Sequence, residues 1–173
     1  MKDEEGTSAI EFALIIPVLL TLYFGAVEIS NALAMKRKVE NAATLAGSLV
    51  AQANTASDAY LANVFEATDM AFEPYATAPL KVVVTSIDRA LDENDDFKNK
   101  VTWSEGHGSG ASTRTVDSIY DPPGNILGDN RGIILTEVEY AYSSTFSQIF
   151  VGPITFTNTY WSHPRYVTSI PYE

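Results

Sequence analysis

Cysteine is absent from this chain of 173 residues, and histidine occurs only twice, as His107 and His163. The first absence excludes disulfides and thiolate chemistry. It leaves the compartment open, because disulfide-free domains of this size can fold on their cores on either side of a membrane. The two histidines lie far apart in sequence, and no Ser, acid and His combination has a recognisable context such as a nucleophile elbow. Neither catalysis nor a metal or other cofactor is expected. Positive charge is also scarce: 11 Lys and Arg stand against 22 Asp and Glu, a net charge of −11. Removing the first six residues leaves −9, since Lys2 against Asp3, Glu4 and Glu5 contributes −2. Either value opposes binding to polyanions, so direct contact with nucleic acid is not expected. No internal repeat or low-complexity tract separates a second domain. Subtracting one membrane helix leaves about 140 residues, enough for one small core.

What the chain does have is a long apolar run. Phe12 to Val27 is 16 residues without a charge, closed by Glu11 before it and Glu28 after it. With its flanks it reaches the roughly 17–25 residues that span a bilayer. A carboxylate in such a segment costs about 2.5–3.5 kcal/mol at the bilayer centre and less near the interface, and is usually functional. A cut between Gly6 and Thr7 would make Glu11 the fifth residue of the shortened chain, within reach of the new amino terminus of a neighbouring copy. Two other readings exist. A secretory signal could end at Ala32-Leu33-Ala34, before Met35, but such a signal needs a positive front end, and Met1 to Glu5 carries one Lys and three acids. A plain membrane anchor would leave Glu11 incidental.

A short charged leader ending in Gly, a cut, four residues, Glu and a long apolar helix resemble the type IV prepilin signal. The run GTSAIEFALIIPVLLTLYFGAVEIS, residues 6–30, carries Glu11-Phe12-Ala13-Leu14, Pro17 and Gly25-x-x-Glu28. It is similar to the amino terminus of TadE-like and TadG-like proteins, minor pilins or pseudopilins of the tight-adherence pilus. The resemblance implies processing at Gly6 and Thr7 by a prepilin peptidase and an assembly role for Glu11. It also implies an inner-membrane span with the amino terminus cytoplasmic, an extracytoplasmic carboxyl-terminal domain, and a place in a pilus or its assembly machine at the cell surface. The implied partners are other pilin and minor pilin subunits, the peptidase, the assembly platform and the lipid bilayer. The cluster Lys36-Arg37-Lys38 opposes this orientation, because a positive-inside count would put that side in the cytoplasm. The leader must face the cytoplasm to be cut, however, and eight further residues carry the cluster about 12 Å beyond Glu28 at 1.5 Å per residue. The processing motif therefore sets the expected orientation.

Beyond the span the helical pattern continues. Val39, Ala42, Ala43, Ala46, Leu49 and Val50 recur at spacings of three and four, which predicts one helix from Ser8 to Gln52. At ~1.5 Å per residue it would be longer than a bilayer is thick, so its second half should project and pack on a domain. Pro17 and Gly25 are soft points within it. Asn54 to Asp58 supply capping residues, and Tyr60, Leu61, Val64, Phe65, Thr68 and Phe72 form the stripe of a second helix over 58–72, ended by Glu73-Pro74. From Leu80 the period becomes two. Lys81–Ile87, Lys100–Ser104, Ile133–Tyr142 and Ile154–Trp161 are β-branched and aromatic runs between turn signals, and predict four antiparallel strands. Within the third, Leu135, Val138 and Tyr140 do not share one face, which leaves its register open. The resemblance extends to a Val101-x-Trp103 strand and a Thr-rich last strand running into His163-Pro164-Arg165, where the family often has Arg-Pro-Arg; His163 replaces the first Arg.

The expected fold is therefore α+β, a long amino-terminal helix continuing into a domain with a second helix and an antiparallel sheet. The expected divisions are 1–6 leader, 7–30 membrane half, 31–52 projecting half and 53–173 outer domain. Asp92, Asn94 and Asp96 imitate the start of an EF-hand loop. Phe97 then stands where Gly is needed and Trp103 where the bidentate Glu belongs, so a solvated acidic hairpin tip is expected. Gly106 to Gly110 lacks the following helix that would cradle phosphate. The irregular stretch 106–131 is expected to be a surface loop that could carry partner contacts. A function of another class, an anchored extracytoplasmic binding module or enzyme, would need a converging polar constellation, and none is visible in the sequence.

Overall fold

The computed structural model describes residues 3–91, 96–124, 126–129, 131–144 and 152–173, with side chains from Thr7 onward. The expected imitation of a calcium loop falls largely on residues 92–95, outside the described residues. The elements are α1 (Asp3–Val50), α2 (Asp58–Phe72), β1 (Leu80–Leu91), β2 (Phe97–His107), β3 (Arg131–Tyr142) and β4 (Ile154–Ser162). They form the α+β fold expected from the periodicity, with one four-stranded sheet in the order β2-β1-β3-β4. The chain divides into two compact units, one of residues 1–35 and 142–154, the other of 36–141 and 155–173. The first unit contains the apolar part of α1.

In the second unit, the remaining part of α1 buries Val39, Ala42, Ala43, Ala46 and Val50. These small side chains let the helix approach the sheet closely. A β-carbon added at Gly47 would lie 2.7 Å from the Tyr160 ring and 2.8 Å from the Thr136 hydroxyl, so the absence of a side chain sets the helix-to-sheet distance. Helix α2 begins at Ser57, whose hydroxyl accepts from the Tyr60 amide. It buries Leu61, Val64, Phe65, Thr68 and Phe72, the stripe expected from spacing. Tyr60, the sixth member of that stripe, is only half-buried and donates its phenol to the Leu49 carbonyl at 2.7 Å, joining the two helices. Burial raises the pKa of this phenol.

The antiparallel register explains why β3 resisted a one-face reading. Leu80, Val82 and Val84 stand opposite Tyr140, Val138 and Thr136, on the face that meets Gly47 of α1 and, through Tyr140, Phe72 of α2 at 4.7 Å between ring centres. Ile87 stands opposite Ile133, and both belong to a second cluster with Val101, Leu127 and Leu135 on the other face. Part of the sheet is thus covered on both sides, and an apolar residue at every position is the pattern such a strand needs. The cover is the stretch 106–131. Its Tyr120 and Ile126 pack on the second cluster, and its residues 117–120 hydrogen-bond along the outer edge of β2 through Val101 and Asn99. Gly108 at φ +96° passes the Leu80 carbonyl so closely that a β-carbon would lie 2.1 Å from its oxygen.

Residues 163–173 form a strap over the second unit. The Arg165 amide donates to Ala51, Gly132 to Thr168, the Trp103 indole to Ile170 at 2.7 Å, and Ala56 to Pro171 at 2.8 Å. Ile170 is fully buried. The strap therefore fastens the end of α1, the middle of β2 and the start of β3 to one another.

Candidate functional site

The apolar part of α1 is the most unusual surface of the molecule. Ile10, Phe12, Leu14, Val18, Leu22, Tyr23 and Ile29 each expose 59% or more of their area. At 100° per residue these, together with the exposed Leu20, Phe24 and Val27, point to every side, so this is not a stripe waiting for one core. Fully covering each such side chain is worth about 1.5–3 kcal/mol, which water cannot supply. This is the one helix among the described residues that is long and apolar enough to cross a membrane, and no part of its most apolar window is buried. Its hydroxyls are satisfied internally: Thr21 donates to the Pro17 carbonyl at 2.8 Å and Ser30 to the Ala26 carbonyl at 3.0 Å. That is the arrangement a helix surrounded by hydrocarbon requires.

Gly6 and Thr7 lie within α1, which starts at Asp3 rather than Ser8. Thr7 and Glu11 are four residues apart, about 6 Å along the axis and on nearly the same face. Glu11 is exposed and makes no ion pair or hydrogen bond among the described residues, whereas Glu28 accepts from the Ser144 hydroxyl at 2.5 Å. The two carboxylates that close the apolar run thus differ: one is engaged, the other is unengaged. Ser144 lies 116 residues from Glu28, so no local pattern announces this contact.

The basic cluster after the span is also not uniform. Lys38 donates to the carbonyls of Ala71 and Glu73, both at 2.8 Å, placing its charge at the carboxyl end of α2. Lys36 stands 3.9 Å from Glu40, and Arg37 is exposed. The role of Lys38 was hidden in the sequence because its partners are backbone atoms more than 30 residues away.

On the second unit, charged side chains are paired for packing. Arg114 forms a two-pronged pair with Glu137, one prong at 2.9 Å, which raises the guanidinium pKa, and Lys81 meets Glu139 at 2.8 Å. His107 donates to Asp69 at 2.9 Å while stacking on Phe65. Tyr172 donates to Asp58, and that bond raises the phenol pKa. His163 donates to the Ile126 carbonyl at 2.9 Å, so the two histidines occupy different places. Among the described residues no group of three His, Cys, Asp or Glu side chains is placed to hold a metal ion.

Comparison with known families reaches nearly all of α1 and nothing after it. Residues 6–48 match the TadE-like protein family. The match begins at the glycine before Thr7, contains Glu11 and the whole exposed apolar run, and ends within the buried Val39–Val50 stripe. It bears out the resemblance read from Glu11-Phe12-Ala13-Leu14, Pro17 and Gly25-x-x-Glu28. No curated protein and no solved structure matches the chain. The TadE-like segment is thus one helix with two surfaces, an all-round apolar one and then a small-residue stripe.

Proposed function

We propose that this TadE-like chain is a minor pilin or pseudopilin of a tight-adherence pilus, held in the inner membrane by α1, cut after Gly6 by a prepilin peptidase, and taking part in pilus assembly or initiation. The observation that carries the reading is the coexistence, on one exposed helix, of an all-round apolar surface and the unengaged carboxylate of Glu11. A helix of this kind can pass from lipid into a bundle of like helices without exposing its hydrocarbon surface to water. Within that bundle Glu11 compensates the amino terminus that cleavage creates on a neighbouring subunit and fixes the axial register between them.

The outer unit then lies on the extracytoplasmic side. Two features support this orientation against the positive-inside count: Lys38 is committed to the end of α2, and Lys36 has Glu40 beside it. The scissile bond lies inside a helix and must unwind to be cut. Gly6 favours that, since glycine weakens a helix by about 1 kcal/mol relative to alanine. The proposed partners are other pilin subunits, the peptidase and an assembly platform in the same membrane. The outer unit acts through contacts and performs no chemistry.

Coexpression with a cognate prepilin peptidase tests the reading. The chain should lose six residues, begin at Thr7, and resist cleavage when Gly6 is replaced by a bulky residue. A new terminus at Met35 would instead establish a secretory signal and remove the pilin assignment.

A further inference from the structure

Tyr140 to Ser162 is a run of 23 residues without a charge, longer than the 16 of the apolar run in α1, in a chain where 19% of residues are charged. Burial does not demand this neutrality, because Ser143, Pro153, Thr155, Thr157 and Thr159 are exposed. Within the run, residues 142–154 belong to the same compact unit as residues 1–35. There the Ser144 hydroxyl donates to Glu28 at 2.5 Å. Glu28 is half-buried, whereas Val27 and Ile29 on either side expose 42% and 63% of their area.

The position of Glu28 along α1 sets the level of this contact. Counted from Thr7 it lies 21 residues on, about 32 Å at 1.5 Å per residue, and counted from Glu11 it lies 17 residues on, about 26 Å. A hydrocarbon core about 30 Å thick, entered at either residue, therefore ends close to Glu28. The polar layer beyond it is about 5–8 Å deep, and the next charge on α1, Lys36, stands about 12 Å further. Ser144 is thus held where headgroups and acyl chains meet. A carboxylate at such a depth is costly unless it is bonded, and a hydroxyl donating to an ionised oxygen makes one of the stronger hydrogen bonds. An acidic surface is also repelled by an anionic leaflet, and in a chain of net charge −11 this run is the longest stretch free of that repulsion. We propose that residues 142–144 and 152–154 form a second membrane contact, a surface that rests in the bilayer interface with lipid as its partner and is held at that depth by the bond from Ser144 to Glu28. The contact presupposes that α1 crosses the bilayer, as proposed above. Its chemistry is neutral, so it draws nothing from the charge of the lipid.

The cysteine-free chain accepts a nitroxide label at any single introduced thiol. In full chains reconstituted into phosphatidylcholine vesicles, Ser143→Cys and Pro153→Cys report on the contact, Leu19→Cys on the span and Ser109→Cys on a loop of the second unit; all four positions are exposed. The readout is the ratio of collisions with oxygen, which concentrates in lipid, to collisions with a water-soluble nickel chelate. Labels at Ser143 and Pro153 should give ratios severalfold above that at Ser109 and below that at Leu19. Neither added anionic lipid nor salt near 1 M, where the screening length is about 3 Å, should change them. Ser144→Ala should lower both ratios to the Ser109 level without changing the melting temperature, and Ser144→Thr, which keeps the hydroxyl, should restore them. Ratios at Ser143 and Pro153 equal to that at Ser109, or unmoved by Ser144→Ala, would overturn the proposal. Spin–spin broadening at Ser143 that disappears on dilution with unlabelled chain would assign the surface to a second copy and overturn it equally. A lipid-like label at Leu19 beside water-like labels at Ser143 and Pro153 removes only this contact, whereas a water-like label at Leu19 removes the membrane span with it.

Discussion

Two carboxylates, Glu11 and Asp88, show how place decides the meaning of one functional group. Glu11 is exposed on a helix that water does not suit, and its negative charge has value only if a positive group arrives. Glu11→Gln should leave expression, membrane insertion and stability of the outer unit nearly unchanged. It should reduce co-purification with partner pilins, because an amide keeps shape but cannot neutralise an ammonium group where screening is poor. Wild-type recovery of that complex, with normal pilus number and cleavage, would make Glu11 an incidental anchor residue. Asp88 is the opposite case. One oxygen accepts from Ser169, the other is buried without a partner, and burial raises the carboxyl pKa despite the Ser169 bond. A folded pKa above the unfolded value means that the native state holds the extra proton, so stability is greatest on the acid side and falls as pH rises through the folded value. Asp88→Asn, which retains an acceptor for Ser169, should therefore raise the melting temperature at neutral pH and flatten its decline from acid pH upward. An unchanged slope in thermal scans would contradict the assignment.

Among the elements, the contact of α1 with the sheet is the most sharply constrained. Alanine is a better helix former than glycine by about 1 kcal/mol, so propensity alone would favour Gly47→Ala. The added carbon would meet a tyrosine ring and a buried threonine hydroxyl below 3 Å, and overpacking of this kind typically costs about 1–3 kcal/mol. The net effect should be a lower melting temperature for Gly47→Ala, partly recovered by Tyr160→Val combined with Thr136→Ala, which remove the ring and the hydroxyl, only if the clash itself is responsible. The same elements show what periodicity can and cannot reveal. Helix α2 was legible to the residue, because one buried stripe repeats every three to four positions. Strand β3 was legible as a strand but not in its facing, because Ile133 to Leu135 are apolar on both sides. The second apolar layer comes from Leu127 and Tyr120, in a stretch whose irregular backbone has no period to read. The spacing of Gly6, Thr7 and Glu11 is local and could be read directly, whereas Ser144 beside Glu28 and Lys38 at the carboxyl end of α2 depend on residues brought together only by folding.

At the scale of the whole molecule the governing question is which side of the membrane the outer unit occupies. A reporter fused to the carboxyl terminus should be active only as an extracytoplasmic reporter; activity solely of a cytoplasm-restricted one would reverse the topology and restore weight to Lys36-Arg37-Lys38. The strap formed by residues 163–173 bears on when the outer unit can fold. Every element it fastens is synthesised before it: the Trp103 indole bonds to Ile170, the Asp88 carboxyl to Ser169 and the Gly132 amide to Thr168. The unit thus cannot close until residues 168–170 have been made. A nascent chain halted ahead of the strap displays an unfinished core to any protease it meets.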